Sequence, residues 1–184
     1  MKLELVSTLA LNRDELLRAF DGLSEKEITT IPVVGCDASS PSKLYSGSCR
    51  APIGDDASWT IKDTIGHISY WEQVIHAHVR ESFAEGKPRR MSDKDPNDAI
   101  NAREAKRRKN WKWARVRAEF ENTRGALIAR VESLSEMDLS FVVPNPWWNQ
   151  NGFYSVAQMI EDDAIGHCRE HIEQIRNWKL EIRG

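Results

Sequence analysis

The chain has 184 residues, a net charge of −2 and 29% charged side chains, which suits a single domain over residues 1–184 and argues against a general polyanion binder. No apolar run approaches the roughly 20 residues of a membrane span, and Glu4, Arg13 and Asp14 interrupt the first apolar stretch where a signal peptide would have an uncharged core. The expected setting is the cytoplasm, with Cys36, Cys49 and Cys168 reduced and no disulfide among them.

Over residues 2–20, Leu5, Leu9, Leu16 and Phe20 recur with charged residues between them, which predicts a helix closed near Gly22. Ser24 and Glu27 then make a capping box for a short turn. Residues 29–58 hold several Pro, Gly and Ser and show no period. A loop of that length in a compact domain is usually functional, and here it is expected to cover one mouth of a site. Thr60, with Asp63 at the third helical position, opens a second long helix with Ile61, Ile65, Ile68, Val74 or Ile75, and Val79 as its core stripe. His67 lies beside that stripe, with Trp71 one turn away. The helix fades before Gly86-Lys87-Pro88, and His76 and His78 near its end are expected at the surface or rim.

After a polar connector, residues 99–108 read as helical. Trp113, Val116, Phe120, Thr123, Leu127, Val131 and Leu134 then form a seam of alternating three and four spacing, as on a bundle helix. Basic residues crowd between Arg103 and Arg117 around Trp111 and Trp113, a mixture that can mean nucleic acid. Trp113 already belongs to the core seam, and a charge run is more often a solvated helix face, so no nucleic-acid partner is expected. Residues 144–152 form a loop. Ser155 and Gln158 make a capping box for the last helix, whose stripe is Val156, Ile160, Ala164, His167, His171, Ile175 and Trp178. Four long helical segments and no convincing strand pattern predict an all-α four-helix bundle with short extra helices.

His167 and His171 stand one turn apart on an inward stripe, close enough to share a metal ion. A lone inward histidine is more often a core residue with one hydrogen-bond partner, but two buried imidazoles need more partners than a dry core offers. The two halves of the chain echo each other. Leu23-Ser24-Glu25 matches Leu134-Ser135-Glu136, Trp59-Thr60-Ile61 matches Tyr154-Ser155-Val156, and Ile65-Gly66-His67 matches Ile165-Gly166-His167. The bundle therefore reads as two similar helical hairpins. If their second helices cross at Gly66 and Gly166, His67 faces His167 and His171, giving a three-histidine site with a coordination position left open.

Imidazole ligands suit Zn, Ni, Cu and Fe alike. The segment 167–171 also fits H-x-x-E-H, the inverted zinc-peptidase signature, but too little chain follows His171 to supply the further ligand. Asp63, Trp71, Asp163 and Glu170 are candidates to shape the pocket. Of these, Asp63, Asp163 and Glu170 are weak catalytic candidates, since a surface carboxylate is the commoner case.

Trp59-Thr60-Ile61-Lys62-Asp63 leading to His67, Asp98-Ala99-Ile100-Asn101-Ala102 and His167-x-x-x-His171 together resemble the DinB/YfiT-like superfamily, over nearly the whole chain. The resemblance implies a divalent metal, commonly zinc or nickel, on His67, His167 and His171, in a bundle that often dimerises. It also implies S-transferase, isomerase or hydrolase chemistry on a small molecule, with a low-molecular-weight thiol as co-substrate and a role in detoxification or stress. A second resemblance lies in Trp147-Trp148, in Tyr154-Ser155-Val156-x-x-Met159-Ile160 and in Ile175-Arg176-x-Trp178-Lys179. These are similar to the ClbS/DfsB branch, which implies metal-independent inactivation of a reactive compound. The three histidines align the chain with the metal binders.

Overall fold

The apolar stripes become helices α1 (Lys2–Ala19), α2 (Glu25–Thr29), α3 (Ile61–Ala84), α4 (Asn97–Arg108), α5 (Trp113–Ser133) and α6 (Glu136–Ser140). A small ribbon of β1 (Val142–Pro144) and β2 (Phe153–Ser155) follows, then α7 (Val156–Met159), a π-helical segment (Ile160–Gly166) and α8 (His167–Arg183). The structure, a computed structural model, describes residues 1–30, 59–84, 97–144 and 153–183. The expected lid over residues 29–58 therefore lies almost wholly outside the described residues, as do Cys36, Cys49 and the Trp147-Trp148 pair.

Each capping box read from the sequence is present. The Ser24 hydroxyl accepts from Glu27 N–H while the Glu27 carboxylate accepts from Ser24 N–H, and Thr60/Asp63 and Ser155/Gln158 repeat the exchange. Ser135 and Asp138 add another, so Leu134-Ser135-Glu136 opens a one-turn helix as well as closing α5. Gly22 takes φ 73°, the left-handed geometry that lets the chain turn out of α1.

The halves share one plan of long helix, one-turn helix and long helix, and they interleave. α1 packs on α5 and α8, while α3 packs on α5, on the π segment and on α8. Each long helix of one half thus lies between the two of the other, which brings His67 of α3 against the last helix. α4 stands outside this ring and packs on α3.

The described residues are all-α as expected, apart from one small ribbon in which Val142 pairs with Ser155 and Pro144 with Phe153. Three-residue strands are too short to show a two-residue period, so the pattern was not visible. The ribbon returns the chain to the foot of the last helix, where Val156 N–H donates to Phe141 O.

The core divides into two apolar clusters. One gathers Leu5, Leu9, Ile75, Val79, Leu127, Val131, Met159 and Ile160, the other Leu16, Phe20, Ile61, Ile65, Ile68, Val116, Phe120, Ile172 and Ile175. Along α1, α3 and α5 the residues between them are polar and buried: Asn12, Glu72 and Arg124. The seam predicted for α5 is buried throughout except at half-buried Trp113.

Candidate metal centre

Thr60 and Asp63 fix where α3 begins, and His67 follows on the face turned toward the last helix. The last helix reaches His167 through seven residues of π-helix, a form often found at functional sites. Its wide turn buries Ile160, Ala164 and Ile165 and leaves Glu161 and Asp162 exposed.

The three histidines converge. His67 Nε2 lies 2.9 Å from His167 Nε2, and His171 Nε2 lies 3.0 Å from the same atom. Three nitrogens held about 2.0–2.1 Å from one ion would stand roughly 3.0–3.4 Å apart, and the three ligand atoms here lie within 4.8 Å of one another, so the donor set could hold a single cation. Lone pairs aimed at one point repel unless a proton or a cation lies between them. His67 and His171 are buried and His167 is half-buried. Burial, then the neighbouring imidazoles, hold His67 and His167 well below the usual histidine pKa, and burial lowers His171 too. All three are neutral near pH 7, the state in which imidazole binds metal.

The far nitrogens are tied to carboxamide oxygens. His67 Nδ1 lies 3.2 Å from Asn101 Oδ1 and His171 Nδ1 lies 2.7 Å from Gln174 Oε1. An amide oxygen only accepts, so each ring carries its proton on Nδ1 and turns the Nε2 lone pair inward, as outer partners of metal-bound histidines do. Gln174 follows His171 by one turn and was readable as a neighbour. Asn101 comes from α4, and only the Asp98-Ala99-Ile100-Asn101-Ala102 resemblance pointed to it.

The expectation that the helices cross at their glycines is corrected. A Cβ on Gly66 would come within 2.7 Å of Arg108 Cδ, so this glycine makes room for a side chain from α4. A Cβ on Gly166 would meet only Glu161 O, at 3.5 Å, within its own π turn. His78 is corrected as well: it is buried, because the inward face of α3 widens there to include Ser82, whereas His76 is half-buried.

Asp63 caps Thr60 and lines a small recess beside His67 with Trp59, Tyr70, Asn101, Glu104 and Arg108. Trp59 packs edge-on against the His67 ring, with centroids 4.7 Å apart. Trp71 donates through Nε1 to Asn101 Oδ1 at 2.9 Å, and the same indole nitrogen lies 3.2 Å from His67 Nδ1. Asp163 sits on the π turn; burial first, and then the charges of Asp163 and Asp162, raise the Tyr154 phenol pKa. Glu170 is half-buried, and its charge favours the protonated form of His171.

The basic run is internally paired in part. Arg108, only 2% exposed, bridges Glu104 and Glu119, and Arg115 stacks on Trp111 at 3.6 Å. Cys168 is buried and its thiol is pushed up to about 12, chiefly because burial penalises the thiolate. Among the described residues no helix is long and apolar enough to cross a membrane.

The sequence pattern of the DinB superfamily matches residues 8–175. No curated protein matches the chain. Solved structures that share the fold include the following three. The colibactin self-resistance protein ClbS, in complex with a dsDNA, is 12% identical with a TM-score of 0.70, over 97% of this chain and 95% of that one. The sibling lethal factor precursor DfsB is 19% identical with a TM-score of 0.70, over 99% and 96%. The mycothiol-dependent maleylpyruvate isomerase is 12% identical with a TM-score of 0.67, over 95% of this chain, which spans 60% of the isomerase's length.

Proposed function

The chain belongs to the DinB superfamily, and we propose that it is a metal-dependent enzyme acting on a small electrophilic molecule, with the ion on His67, His167 and His171. The observation that carries this reading is the convergence of three neutral Nε2 atoms, 2.9 and 3.0 Å apart, on one point. Zinc or nickel is the ion we assign, and when bound it would supply Lewis acidity to water or to a low-molecular-weight thiol.

The protein's own contribution is to hold the ligands. Asn101 and Gln174 orient the rings, burial keeps them unprotonated, and Trp59 shields one face of His67. Of the candidate carboxylates, Asp63 is engaged by the Thr60 cap and Asp163 acts on Tyr154, while the charge of Glu170 reaches His171. The reaction class is transferase, isomerase or hydrolase chemistry of a detoxifying kind, carried out in the cytoplasm by a homodimer without a nucleic-acid partner. Protein purified without a histidine tag should carry close to one divalent ion per chain, and the His171→Ala variant should carry none.

A second reading is metal-independent binding and inactivation of a reactive compound, as by a self-resistance protein. It draws on the end-to-end matches to ClbS and DfsB, against a match to only part of the isomerase. Metal-free protein that still inactivates its compound would favour it.

A further inference from the structure

Trp71 Nε1 lies 2.9 Å from Asn101 Oδ1 and 3.2 Å from His67 Nδ1, so two acceptors compete for one indole proton. An indole N–H only donates. If it donates to His67 Nδ1, the imidazole proton must sit on Nε2, the atom that faces His167, and the ring offers the triad no lone pair. Asn101 settles the competition. Its oxygen takes the indole proton over the shorter distance and, with its second lone pair, accepts from His67 Nδ1–H at 3.2 Å. The need of the indole for an acceptor also fixes which way the carboxamide points. Resting on the reading of the triad as a metal centre, we propose that Asn101 is a positioning residue that selects the metal-binding tautomer of His67 against Trp71, held in place by the seating of Arg108 over Gly66.

The seating explains how a residue from outside the four-helix ring can be trusted with this. Seven residues along α4 from Asn101, the Arg108 side chain crosses Gly66, and its guanidinium is held by Glu104 and Glu119. Lys62 Nζ donates to Lys109 O at 2.9 Å and holds the end of the same helix. A methyl group at Gly66 meets the Arg108 side chain short of its anchored guanidinium, so Arg108 must be displaced, and with it the seating that holds α4 and Asn101. His171 shows the contrast. Its outer partner, Gln174, is on its own helix, and no indole competes there.

The test has a metal-free arm and a metal arm. In ¹⁵N-labelled metal-free protein, long-range imidazole correlations should place the His67 proton on Nδ1 in the wild type and in Asn101→Asp, and on Nε2 in Asn101→Leu. Trp71→Phe should keep it on Nδ1. In the metal arm, Co²⁺ titrated against a competing chelator should bind Asn101→Leu about 10–100-fold more weakly than wild type, with Asn101→Asp restoring affinity. Gly66→Ala should weaken binding in the same direction. Gly125→Ala, whose Cβ would meet nothing within 4 Å, should not. Unchanged tautomer and affinity in Asn101→Leu would overturn the proposal, as would a loss of thermal stability that Asn101→Asp shares while the tautomer stays put. If Asn101→Leu does not fold, wild-type affinity in Gly66→Ala overturns the seating. A tautomer switch in a protein that binds no Co²⁺ would sink the metal reading and leave the assignment of Asn101 to His67 standing.

Discussion

Glu72 of α3 and Arg124 of α5, both 0% exposed, are paired between the two apolar clusters of the core. Arg124 also donates to Asn12 Oδ1 and Leu9 O on α1, so a single guanidinium ties three of the four long helices. Breaking such a pair leaves a buried charge without its partner. Arg124→Met is expected to cost about 3–5 kcal/mol in denaturant unfolding, whereas the double change Glu72→Met with Arg124→Met should cost far less. A single variant as stable as wild type would show that the pair contributes little.

Cys168 packs in the same region, and its thiol is pushed up to about 12. The thiolate is the reactive form, so this cysteine should be inert in the native protein. With Cys36 and Cys49 changed to Ser, the folded chain at pH 8 should resist alkylation and label fully once unfolded. Rapid native labelling would contradict the burial of Cys168.

The triad gives a sign to the pH dependence of the metal-free protein. His67, His167 and His171 have pKa values below the unfolded value of about 6.5. As pH falls through 6.5 the unfolded chain takes up protons that the native one does not. The stability contributed by the neutral rings is therefore complete above that pH and is lost progressively below it. Each histidine should add a slope of at most about 1.4 kcal/mol per pH unit. Unfolding measured from pH 7.5 to 5 should show this slope, and His167→Gln should reduce it. A flat profile would mean that the rings are not buried as a neutral cluster.

Much of this architecture could be read from spacing, because helices repeat with a period that a list of residues displays. Val116, Phe120, Leu127 and Val131 are all fully buried, and the capping boxes at Ser24, Thr60 and Ser155 fall where their side-chain chemistry puts them. His67, His167 and His171 were legible for the same reason, as an i,i+4 pair and its echo. The role of the glycines was not, since what Gly66 accommodates is a side chain 42 residues downstream. Nor was the pairing of Glu72 with Arg124: a single charge beside a stripe reads as surface until its partner on another helix is known. The π turn was hidden as well, because Ile160, Ala164 and His167 keep ordinary helical steps while Ile165 and Cys168 are buried on a second line.

In the proposed metal centre one divalent ion joins α3 to the last helix through His67, His167 and His171. An ion bound only by the native state stabilises it, so thermal melting with and without a chelator at pH 7.5 reads out whether the ion is there. Chelation should lower the melting temperature of the wild type, added Zn²⁺ should restore it, and His171→Ala should melt at the same temperature under both conditions with its helical content intact. Wild-type protein that holds no stoichiometric metal and melts identically with and without chelator would contradict the proposed metal centre.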